Sequence, residues 1–168
     1  MKSALKSDTI DVEGKKVKRE YVVFDMIKGR DNVSANRYKS LVKEFSAKYG
    51  IEEALVYAII KTESAFNPYA VSSAPAYGLM QIVPSTAGRD VYRRLHGRDG
   101  IPSKDEPFNP RINIEYGSAY INILDKNYLS DVRNRVSREY CVISAYNGGA
   151  GNVFKTFGRD KGSAINSI

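Results

Sequence analysis

The chain has 168 residues, 42% hydrophobic and 27% charged, a length and balance suited to one globular domain with a real core rather than a fibrous or disordered chain. Its 26 Lys and Arg against 19 Asp and Glu give a net charge of +7. Acids are interspersed among the bases, so the charge describes a solvated basic surface and carries no nucleic-acid motif.

One cysteine, Cys141, and one histidine, His96, are present, which excludes an intramolecular disulfide and leaves a Cys/His zinc site without its ligands. Cys141 lies in the apolar run YCVISAYN and reads as a small buried hydrophobe. His96 precedes a glycine at a helix end, where an imidazole suits the negative end of the dipole. No apolar run is long enough for a bilayer span, and the N-terminal MKSALKSDTIDVEGKK has neither an apolar signal core nor a cleavage site. That leaves export of a longer parent open.

In chain order, residues 1–33 stand apart: Val17, Arg19, Tyr21 and Val23 alternate after EGKK, which predicts a small β-hairpin or the end of a preceding domain. From Ser34 the period becomes helical, with Tyr38, Leu41, Val42, Phe45 and Tyr49 on one face and Gly50 as the stop. A second helix carries Ile51, Ala54, Leu55, Ala58, Ile59 and Thr62 as its stripe, has Glu52 and Glu53 in its first turn, and ends near Ser64. The uncharged NPYAVSSAPAYGLMQI, residues 67–82, is a loop that must fold against something.

A third helix is predicted from Pro84 to Gly97 and is followed by the polar connector GRDGIPSKDEPF. Asn109 and Pro110 form a cap and first turn for a fourth helix with a stripe of Ile112, Tyr116, Ala119, Tyr120, Ile123 and Leu124. Ser137 is the predicted cap of a fifth helix through Cys141, Val142, Ala145 and Tyr146, closed by Gly148 and Gly149. A short sixth covers Val153 to Phe157. The fold class is mainly α with a minor β element at the start, divided into an extension, 1–33, and a helical domain, 34–168.

Within AIIKTESAFNPYA, Glu63 stands at the end of an apolar helix. The negative end of the dipole and the apolar neighbours Ile59, Ile60, Ala65 and Phe66 both favour its neutral form. A carboxyl kept protonated near neutrality is what a general acid needs to protonate a departing glycosidic oxygen.

Three ordered motifs, TES at 62–64, GLMQ at 78–81 and AYNGG at 145–149, together with FNPRINIEYGSAYI between them, resemble the lytic murein transglycosylases with a soluble-type catalytic domain. The resemblance covers roughly Tyr38 to Ile168. It implies a lysozyme-like helical fold related to goose-type lysozyme, with Glu63 as the catalytic residue. Ser64 is then its hydrogen-bonding neighbour, and Ser72 a hydroxyl near the site. Met80 and Gln81 wall the cleft, while Tyr116, Tyr146 and Asn147 reach the substrate.

Ordinary glycosidases use two carboxylates, and no second one lies in TES, GLMQ or AYNGG; Glu115 neighbours Tyr116, but adjacent helical residues point in different directions. The resemblance implies that the N-acetyl group of N-acetylmuramic acid (MurNAc) assists at the anomeric carbon and that the C6 hydroxyl of the same sugar displaces it, giving a 1,6-anhydro end. No cofactor or metal is needed. The implied partner is the peptidoglycan strand, met in the periplasm or cell envelope by a monomer that has no membrane contact of its own in this segment, although a longer parent is open to lipid anchoring at the outer membrane. The competing readings are a goose-type muramidase that hydrolyses the same bond, a non-catalytic glycan-binding module and, on charge alone, a nucleic-acid binder.

Overall fold

The computed structural model describes residues 4–12, 15–23, 30–103 and 105–157. Packing divides the chain into two units, Met1–Asn36 and Arg37–Ile168.

In the first unit, β1 (Ala4–Val12) and β2 (Lys15–Val23) run antiparallel, with Ala4 opposite Val23 and Val12 opposite Lys15. Both strands are rich in the β-branched types that suit a pleated backbone. The connecting Glu13 and Gly14 lie outside the described residues. Helix α1 (Arg30–Arg37) follows.

The single helix expected from Ser34 to Tyr49 is two helices. The amphipathic pattern belongs to α2 (Lys39–Tyr49), and Tyr38, buried and with a non-helical ψ of 6°, separates it from α1. A one-residue break does not disturb an i, i+3, i+4 pattern, so periodicity passed over it. Gly50 caps α2 in the left-handed conformation, φ 65°, as its position predicts.

Helix α3 (Glu53–Ser64) buries Val56, Ile59 and Ile60. Ala54, Ala58 and Thr62, placed on the stripe by sequence, are exposed. Alanine fits either face of a helix, so the small residues misled the phase; the bulky Val and Ile side chains set it.

Helix α5 (Pro110–Ile123) is the centre of the second unit, burying eight of its residues on several sides and packing against α2, α4 (Arg89–His96) and α6 (Arg135–Gly148). Asn109 caps it, its side chain accepting from the backbone N–H of Arg111 and Ile112, and Pro110 follows at the first position. A single turn of π-helix, Pro84–Gly88, precedes α4, and another, Leu124–Tyr128, continues α5. The cap of α6 is Asn134, which accepts from the Ser137 N–H at 3.0 Å, so Ser137 is in the first turn and not the cap. Both residue types cap well; Asn134 lies three positions earlier, where the carboxamide reaches back over the turn. Helix α7 spans Ala150–Phe157. No helix of the described residues is long and apolar enough to cross a membrane.

Gly117 on α5 faces Met80: a Cβ there would lie 2.3 Å from Sδ and 2.9 Å from Cβ of Met80. Overpacking of this kind costs about 1–3 kcal/mol, and the better helix propensity of Ala offsets about 1 kcal/mol of it. Gly117→Ala is therefore expected to destabilise by about 1 kcal/mol, read as a lower urea midpoint at unchanged slope.

Candidate active site

On α3 the buried residues Val56, Ile59 and Ile60 are followed at the next position of the same stripe by Glu63, spaced i, i+3, i+4, i+7. Glu63 is half-buried. Burial raises its carboxyl above the ordinary value, because loss of water penalises the charged form.

The helix stops abruptly behind it. The Ser64 hydroxyl donates to Ile60 O at 2.9 Å, and Ala65 at φ 49° donates its N–H to Lys61 O. Phe66 is also left-handed, φ 65°. Two consecutive non-glycine residues in this region cost of order 1–2 kcal/mol each. Burial of the Phe66 ring, about 2–3 kcal/mol, opposes that cost.

The segment after Phe66 folds back on itself. Tyr77 and Ile82 exchange both backbone hydrogen bonds at 3.1 and 3.0 Å, closing a turn in which Gly78 has φ 76° and Gln81 φ 48°. A Cβ at Gly78 would stand 2.2 Å from Pro107 O, so glycine is required there by space as well as by φ. Asn113 of α5, 0% exposed, holds this turn. Its Oδ1 accepts from Met80 N–H at 2.7 Å, and its Nδ2 donates to Tyr77 O at 2.8 Å and Pro107 O at 2.7 Å.

Tyr146 of α6 completes the group by donating its hydroxyl to Met80 O at 2.8 Å. Its phenol is pushed well above the ordinary value, first by burial, then by the Glu63 carboxylate and by Tyr120. The rings of Tyr120 and Tyr146 are 5.7 Å apart. Glu63, Tyr146, Tyr120 and the Met80 carbonyl therefore form one cluster drawn from α3, α6, α5 and the loop.

The other residues expected at the site fare differently. Ser64 turns to its own helix. Ser72 is exposed, its hydroxyl donating to Ala74 O and accepting from Ala76 N–H, which closes its own loop. Met80 is fully buried, so its side chain is core and cannot contact a ligand; the Met80 backbone is what reaches the site. Gln81 donates Nε2 to Ala70 O and Gly78 O, leaving Oε1 as its open group. Asn147 is exposed at the end of α6.

Tyr116 is 5% exposed. Its phenol is pushed up to about 12 by burial and then by Glu106, Tyr92, Glu115 and Tyr49. Tyr120, four residues on along α5, is the tyrosine whose ring meets that of Tyr146. Sequence placed both tyrosines on one apolar stripe, and the family resemblance singled out Tyr116.

In Arg37–Phe157, the described carboxylates that are not plainly exposed are Glu63, Asp90, Glu106, Glu115 and Asp125. Asp90 accepts from the Tyr128 hydroxyl, Glu106 from Ser103 N–H, and Glu115 from Lys48 and Tyr49. Asp125 pairs with Arg138 and Lys126. Glu63 makes no hydrogen bond or ion pair with a described residue. It is the one carboxyl of this group without such a partner among the described residues.

Asn113→Ala would leave Met80 N–H, Tyr77 O and Pro107 O buried without their partner, at roughly 1–3 kcal/mol for each unsatisfied group. The expected loss is about 3 kcal/mol or more by urea unfolding, with the tyrosine signals of the Tyr146 environment disturbed in the fraction that folds.

The family model described as "Transglycosylase SLT domain" matches residues 40–168. Membrane-bound lytic murein transglycosylase C of Yersinia enterocolitica is 47% identical over 147 residues, 88% of this chain and 41% of that protein. The protein of that name from Mannheimia succiniciproducens is 50% identical over 149 residues, 89% of this chain and 42% of its own length. The chain thus spans about two fifths of the length of these relatives. Among solved structures, the 70 kDa soluble lytic transglycosylase of Escherichia coli superposes with a TM-score of 0.58 at 28% identity, covering 77% of this chain and 19% of that one. An inactive mutant of lytic transglycosylase Slt from Pseudomonas aeruginosa has the same score and identity, covering 73% and 18%. With a helical domain that superposes on these enzymes and a family match reaching from α2 to the last residue, the chain belongs to the Transglycosylase SLT domain family.

Proposed function

We propose that this chain cleaves the MurNAc-β-1,4-N-acetylglucosamine bond of peptidoglycan without water, leaving 1,6-anhydro ends, with Glu63 acting first as general acid and then as general base. The observation that carries this reading is the half-buried Glu63, raised by burial and unpaired, in a domain whose other sheltered carboxylates are occupied.

The neutral carboxyl gives its proton to the leaving glycosidic oxygen while the substrate's N-acetyl oxygen closes on the anomeric carbon. The resulting carboxylate then takes the proton of the C6 hydroxyl as that oxygen displaces the N-acetyl group. One acid suffices because the sugar supplies both nucleophiles. Tyr146 stays a neutral phenol throughout, since its pKa lies far above neutrality. It anchors the Met80 carbonyl without placing a second negative charge beside Glu63. Asn147 and Gln81 Oε1 are the open polar groups we assign to the sugar, together with Ser64, Ser72 and Tyr116 if substrate draws them in.

The catalytic domain in this proposal is 34–168, goose-type-lysozyme-related, with 1–33 as a separate extension. The names of the relatives support work at the bacterial cell envelope on glycan strands; we assign that work to a monomer in the periplasm or at the outer membrane.

Mass spectrometry of digested sacculi tests the reaction type: 1,6-anhydro ends are expected, and reducing MurNAc ends would make the protein a hydrolase. Glu63→Gln is expected to bind glycan and to lose at least about 100-fold in kcat, the scale of a general acid–base contribution. Wild-type turnover by that variant would show that Glu63 is not the acid.

The raised pKa also has a pH signature. The folded state holds the Glu63 proton more tightly than the unfolded chain, so the wild type loses stability as pH rises from the unfolded carboxyl value, about 4.3, through the raised folded value. Glu63→Gln has no such loss. Its Tm advantage over wild type is expected to be larger at pH 7 than at pH 4, and kcat of the wild type is expected to fall on the alkaline side of the same titration.

A further inference from the structure

The loop that leaves Glu63 carries an aromatic cluster that the proposed chemistry does not use. Tyr69 is 73% exposed, yet it is not loosely held. Its N–H donates to Asn67 Oδ1 at 3.0 Å, and its ring lies 6.4 Å from that of Phe108, tilted by 33°. Phe108 meets Tyr77 edge-on at 5.6 Å and 76°. The rings come from two stretches of chain, the loop and the turn before α5, and two of them stand on the atoms Asn113 secures: Tyr77 O and the carbonyl of Pro107, the residue before Phe108.

The cluster is also close to Glu63. Ser64 O accepts from Asn67 N–H and Asn67 O from Ala70 N–H. Each such turn spans less than about 7 Å, so Ala70 lies within about 14 Å of Ser64.

The chemistry of the surroundings selects the occupant. Residues 64–82 hold no Lys, Arg, Asp or Glu, so nothing on this loop would neutralise phosphates, as a stacked nucleic acid requires. A pyranose ring presents a face of C–H bonds that meets the negative face of an aromatic ring, and needs no counter-charge. We propose that Tyr69, backed by Phe108 and Tyr77, is a stacking subsite for a sugar ring of the bound glycan strand, away from the bond that is cleaved. This rests on the reading of Glu63 as the acid of a glycan site. Its role is affinity for strands long enough to span both places, not chemistry.

The chain has no tryptophan, so Tyr69→Trp installs a single indole reporter. In the Glu63→Gln background, a linear hexasaccharide of N-acetylglucosamine is expected to change its emission saturably, at the concentration where calorimetry on Glu63→Gln alone shows binding. With Glu63 intact, Tyr69→Ala is expected to raise KM on glycan strands about five- to tenfold, the size of one aromatic contact, with kcat within about twofold, and Tyr69→Phe to behave as wild type.

Calorimetric binding with unmoved emission, or an unchanged KM in Tyr69→Ala, overturns the subsite while leaving the glycan reading intact. Emission that follows protein concentration without sugar makes a second copy the occupant and overturns it too. Absence of calorimetric binding overturns both readings. Full cleavage by Glu63→Gln removes only the acid, because the emission change is read independently of turnover.

Discussion

The carboxamide of Asn113 makes three hydrogen bonds at a position with no solvent exposure, and the arrangement around Glu63 depends on it. In a low-dielectric interior each of those bonds is strong and each missing one is costly, so the residue works as an all-or-none tie between α5, the Tyr77–Ile82 turn and the turn before Asn109. The tie fixes where Met80 sits. Met80 fills the space over Gly117, and its carbonyl then accepts from Tyr146. An element two helices on from α3 thus determines what stands beside Glu63.

That dependence explains how a strained backbone survives there. Ala65, Phe66, Gly78 and Gln81 all have positive φ, and three of them are not glycine. Each is held by something specific: Ala65 by its bond to Lys61 O, Phe66 by its buried ring, Gln81 by two bonds from its own side chain to Ala70 O and Gly78 O. A glutamine used this way is part of the loop's backbone economy before it is a ligand for sugar. The strain is concentrated between the acid and the turn that faces it, which is where a scaffold that over-determines the chain is needed.

The sequence disclosed some of this and hid the rest for physical reasons. Caps and stops were legible where the chemistry is local: Asn109–Pro110, Gly50 and Gly97 all do what their positions predict. The phase of α3 was not, because alanine carries too little bulk to declare a face. Read with Val56, Ile59 and Ile60, Glu63 falls on the buried stripe rather than beyond it. The motif GLMQ marked a segment in which the Met80 side chain packs into the core while its backbone carbonyl accepts from Tyr146. Asn113 gave no sign at all. An asparagine in an apolar helix looks like any polar residue on its outer side until the turn it binds is brought to it by tertiary folding.

A single half-buried carboxyl can serve as acid and base only if its two forms are both accessible, which limits how strongly its surroundings may favour either one. Burial raises Glu63, whereas a nearby cation would lower it and a second carboxylate would raise it further and couple the two titrations. Among the described residues neither shifts Glu63, which burial alone raises. Lys48 and Arg111 are committed to Glu115 and Glu44, and Arg89 and Arg93 to Asp99, while the neighbour that does approach, Tyr146, is a phenol that does not ionise in the working range. The electrostatics of the site are therefore set mainly by desolvation. In the proposed reaction, substrate that fills the site and excludes more water would raise Glu63 further, keeping its proton in place until a glycosidic oxygen is there to receive it.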